Sequence, residues 1–138
     1  MNPPRWIEKS ALLILHEESL AEFGGASGLR DEGLLESALA RPLNAFAYGR
    51  ATTPAELAAA YGFGIIKNHA LMDGNKRAAF LSIGLFLGIN GYRLAAEPGD
   101  ATRVMLQVAC GEMSEAGLAI WIAANIESRQ LGLGAPAI

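Results

Sequence analysis

The sequence predicts an all-α fold, a compact single-domain helical bundle of about six helices with one polar loop between two central buried helices. Three observations predict it. Apolar residues recur at helical spacing in blocks, Pro and Gly punctuate those blocks, and alternation of the strand kind is almost absent. Two of the blocks are apolar nearly all round, the pattern of a helix buried on most sides.

The first helix is expected over about Pro4 to Phe23, with Ile7, Ala11, Ile14 and Leu15 at helical spacing and Gly24-Gly25 at its end. A loop, Ala26 to Arg30, follows. Asp31 is placed to cap a short second helix that carries Leu34, Leu35, Ala38 and Leu39 on one face and runs to Arg41. Pro42 is expected to stop it. Leu43 to Thr53 reads as a loop or short hairpin. Thr53-Pro54-Ala55-Glu56 is a helix start with an N-cap, a proline at the first helical position and the glutamate of a capping box. That helix runs to about Asn68 and is one of the two apolar blocks. The other begins near Asn75 and ends at Asn90-Gly91. Asp100 is placed to cap a helix with Val104, Met105 and Val108. Ser114 is placed to cap another with Leu118, Trp121, Ile122 and Ile126.

The bulk numbers fit one domain over residues 1–138, with its core at about 4–128 and a loose Gly- and Pro-containing tail at 129–138. Half the chain is hydrophobic (51%) and 18% is charged, a globular balance rather than a disordered one. A net charge of −3 argues against a broad nucleic-acid surface, so no direct nucleic-acid binding is expected. The longest apolar stretch, Ala78 to Ile89, is shorter than the roughly 20 residues a membrane span needs, so no membrane partner is expected either. The N-terminus lacks the basic-then-apolar pattern of a signal peptide. Cys110 is the only cysteine, which excludes an internal disulfide and suits a reducing cytoplasm, the expected location.

Between the two apolar helices lies His69-Ala70-Leu71-Met72-Asp73-Gly74-Asn75-Lys76-Arg77. Lys76 and Arg77 fall in the first turn of a helix, whose N-terminus is already positive. Each cation there is unfavourable by roughly 0.3–1 kcal/mol. The placement makes sense if an anion sits there, because free N–H groups, a helix dipole and two cations together form a phosphate site. Gly74 lets the backbone approach such a ligand. Asp73, the one acid of the loop, can hold Mg²⁺, which often takes only one or two carboxylates beside phosphate and water. His69 can accept a proton from an attacking hydroxyl. Structural readings stand beside these. Asp73 can cap the helix, His69 and Lys67 can satisfy helix-end carbonyls, and Lys76 and Arg77 can form a solvated charge pair. His16 reads as a partly buried structural histidine, and Arg30 and Arg41 as surface residues. Trp6, Trp121 and the methionines read as core or rim packing, and nothing near Cys110 suggests a reactive thiol.

This loop resembles the Fic/Doc motif, His-Pro-Phe-x-Asp/Glu-Gly-Asn-Gly/Lys-Arg, and is closest to the death-on-curing (Doc) branch, which has Lys at the position of Lys76. Gly28 to Pro42 resembles the N-terminal signature of that branch, and the likeness covers about Ile7 to Ile126. The resemblance implies ATP as donor with Mg²⁺. It gives His69 as general base and Asp73 as the Mg²⁺ ligand, with the backbone at Gly74 and Asn75, together with Lys76 and Arg77, holding phosphates. It places a flap that aligns the target at Leu43 to Thr53. It further implies a toxin of a toxin–antitoxin pair that transfers phosphate to a Thr or Ser hydroxyl of a target protein, elongation factor Tu, and so inhibits translation. A cognate antitoxin is the second expected partner. AMP or other nucleotidyl transfer on the same fold, and a catalytically inactive protein-binding module, are the alternatives. Lys76 and Phe80 stand where AMP-transferring relatives have Gly and a second Arg, which disfavours the first of these. Ala70 and Leu71 replace the usual Pro-Phe, a lighter anchor for the loop, and Ala78 stands where the branch often has Thr.

Overall fold

Six helices and one two-stranded sheet form from residues 3–129, the residues that the computed structural model describes. In chain order they are α1 (Lys9–Phe23), α2 (Glu32–Ala47), α3 (Pro54–Asn68), α4 (Asn75–Ile89), β1 (Tyr92–Leu94), α5 (Pro98–Ala109), α6 (Glu115–Asn125) and β2 (Ile126–Ser128). The tail expected to be loose lies, from residue 130 on, outside the described residues. No helix among them is long and apolar enough to cross a membrane.

The two all-apolar helices hold the centre. Leu57, Ala58, Tyr61 and Ile65 of α3 and Ala78, Ala79, Ile83 and Phe86 of α4 are buried in one cluster with Leu12, Leu35, Val104 and Leu118 from the surrounding helices. Small residues let the backbones come close. A Cβ on Gly62 would lie 2.7 Å from Ile83 Cδ1, so α4 packs where a larger side chain of α3 would stand. The capping box expected at Thr53 and Glu56 is present and fixes where α3 begins.

Five local expectations are corrected. The first helix begins at Lys9 and not at Pro4. The backbone before it finds side-chain partners instead: Asn90 accepts from Arg5 N (2.8 Å) and donates to Arg5 O (3.0 Å), and Tyr61 Oη accepts from Ile7 N (3.0 Å). The buried face of α1 is Leu12, His16, Ser19 and Leu20, while Ile14 is 60% exposed. Second, Pro42 does not stop α2. It lies buried inside a helix that continues to Ala47, because packing offsets the roughly 3 kcal/mol that an interior proline costs. Phe46, one turn later, meets Trp6 edge-on at 5.7 Å. Third, Leu43 to Thr53 is therefore not a loop or hairpin. Its first five residues complete α2, and only Tyr48 to Thr53 connect to α3. Fourth, the N-cap of α5 is Glu97. Asp100 sits in the first turn and accepts from Trp121 Nε1 at 2.8 Å and from Arg103 at 2.5 Å. Fifth, Ile126 is in β2 rather than α6. It pairs with Leu94, as Tyr92 pairs with Ser128, in an antiparallel ladder too short to show as alternation in the sequence.

Candidate active site

The polar loop joins α3 to α4, as expected, and its shape is set almost residue by residue. His69 ends α3 in the left-handed region (φ 51°, ψ 47°), the one non-glycine residue with positive φ among the described residues. Such a conformation persists only where its surroundings hold it. Arg30 does this: its Nε donates to His69 O (2.7 Å) and its Nη2 to Asn68 O (3.2 Å). Asn68 in turn donates to Leu34 O of α2 (2.8 Å). The His69 side chain is left exposed at the cleft.

The next two residues turn inward. Ala70 and Leu71 are both 2% exposed, so Leu71 fills the anchoring place expected of an aromatic residue. Leu71 bridges to Leu29, with Arg30 N donating to Ala70 O (2.7 Å) and Met72 N to Gly28 O (3.0 Å). Asn75 closes the loop on itself. Its buried amide accepts from Leu71 N and donates to Leu71 O, both at 3.0 Å. That side chain is thus structural, and what Asn75 can offer a ligand is its backbone N–H.

Gly74, at φ 73°, is the N-cap of α4, so Asp73 is not. Asp73 instead accepts from Gly74 N at Oδ1 (2.8 Å) and from Ala26 N at Oδ2 (3.2 Å). The N–H of Ala26, then that of Gly74, holds its carboxyl below the usual carboxylate range, so it is ionised. A carboxylate oxygen has two acceptor sites, so each oxygen keeps one for a further partner. The N–H groups of Asn75, Lys76 and Arg77, at the positive end of α4, have no acceptor among the described residues.

Lys76 is exposed and makes no ion pair among the described residues. Arg77 is partly committed. Its Nη2 donates to Gly24 O (2.9 Å) and its Nη1 to Ser19 O (3.2 Å), at the carbonyl end of α1. One of the two cations that look misplaced on α4 thus serves the negative end of another helix.

The six residues singled out from the sequence, His69, Asp73, Gly74, Asn75, Lys76 and Arg77, come together around one cleft of about 480 Å³, with Ile66, Met72 and Ala109. A larger hollow of about 760 Å³ lies at the other end of α3. Its charged groups are engaged locally: Arg41 pairs with Glu115, Glu56 serves the cap of α3, and the Arg50 guanidinium lies 5.3 Å from the centre of the Tyr48 ring. Size therefore does not mark the site. The segment Leu43 to Thr53 is at that far end too, about 20 Å along α3 from His69. It cannot flank the loop as expected. The segment that does is Gly24 to Arg30.

Three contributors escaped the sequence reading. Arg30, read as a surface residue, is exposed but holds the His69 backbone. Ala26 supplies an N–H to Asp73. His16, read as partly buried, is 1% exposed, and neither ring nitrogen has a hydrogen-bond partner among the described residues. A Cβ on Gly74 would stand 3.0 Å from its Cε1, so the imidazole packs directly behind the N-cap of α4.

The sequence profile of the Fic/DOC family matches residues 6–87, well over half of the chain and all of the loop. The chain belongs to the Fic/DOC family. Among curated Fic/DOC-related proteins, toxin Doc of Mycolicibacterium smegmatis (strain ATCC 700084 / mc(2)155) is 46% identical over 86 residues. That match covers 61% of this chain and 65% of the relative, just under two thirds of its length. Protein kinase doc of Escherichia phage P1 is 31% identical over 115 residues, covering 83% of this chain and 90% of the phage protein. The helical architecture and the loop between two buried helices are thus those of a Fic/DOC domain.

Proposed function

We propose that this chain is a Doc-like toxin that moves the γ-phosphate of ATP onto a Thr or Ser hydroxyl of a target protein. The observation that carries this reading is the cleft at α4. Three free N–H groups and Lys76 face the same space as an exposed histidine and an ionised carboxylate. That set suits an anion undergoing transfer, since phosphoryl transfer needs positioning and charge stabilisation more than covalent help from the protein.

In this mechanism the N–H groups of Asn75 to Arg77 and the Lys76 ammonium bind the phosphate chain at the positive end of α4. His69 takes the proton of the target hydroxyl as its oxygen attacks the γ-phosphorus. The bond from that phosphorus to the β–γ bridging oxygen breaks, and ADP leaves. Asp73, with its free acceptor sites, fits as the protein ligand of Mg²⁺, which when bound neutralises phosphate charge. Arg30 keeps His69 at its place by holding its carbonyl.

The names of the two relatives support a toxin and a kinase. From the family resemblance the target is elongation factor Tu, and the second partner is an antitoxin that restrains the chain. Lys76 and Phe80, in place of a small residue and a second cation, favour phosphate transfer over AMP transfer.

Incubation of the protein and elongation factor Tu with ATP labelled on the γ-phosphate or on the adenine tests this. Label from the γ position alone is the expected result, and His69→Ala is expected to reduce it about a hundredfold or more. Adenine label on the target would replace the reading with nucleotidyl transfer. Growth arrest that survives His69→Ala would make the chain a binding module.

A further inference from the structure

The buried face of α1 meets the catalytic loop at two glycines. A Cβ on Gly74 would stand 3.0 Å from His16 Cε1 and 3.3 Å from Arg77 Nη2. One on Gly25 would stand 2.7 Å from Leu20 Cδ2 and 3.2 Å from the same Nη2. Imidazole and guanidinium thus approach one point, which is open because Gly74 has no side chain, and Gly25 keeps further room beside the guanidinium. His16 itself is idle. A neutral imidazole carries one N–H donor and one acceptor nitrogen. This one is 1% exposed, and neither nitrogen has a hydrogen-bond partner among the described residues. A buried polar group left in that state is costly, and a leucine in its place would carry no such cost. Stability therefore does not explain a histidine here. A use for it lies in a form of the site in which one nitrogen has a partner. Of the charged groups that act on the ring, Glu17, Arg77 and Asp73, only Arg77 is a donor. Its Nη2 gives one N–H to Gly24 O (2.9 Å), at the surface, and the other has no acceptor among the described residues.

We propose that His16 is a positioning residue for the anion site, and that a nitrogen of its ring accepts an Nη2 N–H of Arg77 once a phosphate chain is bound at the start of α4. The proposal rests on the phosphate reading above and extends it. Arg77 lines the cleft, so an anion there draws its guanidinium, which cannot then keep all of its bonds to the end of α1. Gly24 O passes to water, and the ring takes the N–H turned toward it. The guanidinium is then held from behind while its other donors face the anion. The histidine lowers stability in the free chain and returns it as affinity, the trade made where a site is kept ready for a ligand.

Calorimetric titration of the whole chain with Mg–tripolyphosphate, beside chemical denaturation of the free protein, tests this. His16→Leu should be at least as stable as the unaltered protein yet bind tripolyphosphate about tenfold more weakly, the size of one hydrogen bond to a charged group. His16→Asn or His16→Gln, whose amide oxygens stand near the places of Nδ1 and Nε2, should regain most of that loss. Leu12→Ala, a change one turn earlier on the same buried face of α1, should lower stability and leave affinity within about twofold. In the unaltered protein, one ring-nitrogen resonance of His16 should shift when tripolyphosphate binds. Unchanged affinity in His16→Leu, failure of both amide variants to regain it, or ring nitrogens that do not respond to the bound probe overturns the proposal and leaves the phosphate site standing. Equal weakening in Leu12→Ala overturns it as well, because the effect would then be one of packing. Failure of the unaltered protein to bind the probe overturns the phosphate reading and this proposal with it.

Discussion

At the scale of single residues, the molecule divides chemistry from placement. Among the described residues His69 and Lys76 present unspent groups to the cleft and Asp73 the acceptor sites left beside its two N–H partners, whereas Arg30, Asn75 and Arg77 spend theirs on backbone carbonyls and amides. Arg30 is the sharpest case. Its fork reaches two successive carbonyls at the end of α3, so Arg30→Met should leave Mg–ATP affinity within about twofold. It should lower turnover roughly ten- to a hundredfold by releasing the strained His69 backbone. Arg30→Lys should restore little, since an ammonium cannot reproduce the fork. Steady-state kinetics beside calorimetry would check this; a loss of affinity equal to the loss of turnover would refute it. None of this was legible in the sequence, because the partner of Arg30 is a carbonyl 39 residues away and carbonyls leave no mark in a residue pattern. The groups in the cleft were legible for the opposite reason: they are local, and two cations at a helix start contradict helix electrostatics on their own.

Elements show the same split. The start of α3 could be read directly, since the signals of a capping box lie within four residues. Thr53→Ala should therefore cost about 1 kcal/mol in chemical denaturation. Glu56 accepts from the N–H of Thr52 (3.0 Å) and then Thr53 (3.1 Å), and these bonds hold its carboxyl below the ordinary 4.5. A depressed carboxyl adds stability that is complete above its unfolded value and is lost as pH falls through its folded one. Glu56→Gln should accordingly flatten the fall in melting temperature below about pH 4.5, and an unchanged slope would count against the box. The end of α2 could not be read in this way. Pro42 is a strong local stop signal, but the packing that carries the helix through it comes from other parts of the chain. The flap was misplaced for another reason: wherever α2 ends, its connection enters α3 at Pro54, the end of that helix away from His69.

For the molecule as a whole, the junction of α1 with α4 is the sensitive one. His16 of α1 packs behind Gly74, and burial, opposed by the charge of Glu17 and aided by that of Arg77, lowers its proton affinity from the ordinary 6.5. Asp73 faces it too and favours the charged form. Because the folded value is the lower one, the unfolded chain takes up the proton first. The contribution of His16 is complete above about pH 6.5 and is lost as pH falls. Denaturation midpoints should drop between pH 7.5 and 5, and His16→Leu should reduce that drop; equal slopes in both proteins would refute the assignment.

The loop that carries His69 also has a history in the chain. Its bonds to Arg30, Ala26 and Ser19 span 39, 47 and 58 residues, and all of them cross the short connection between α2 and α3. A fragment beginning at Thr53 would keep the histidine, the carboxylate and both cations, yet lose every residue of the first half that shapes them. The protein is in that sense two halves of unequal kind, one bearing the reagents and the other the mould, and neither half alone contains the site.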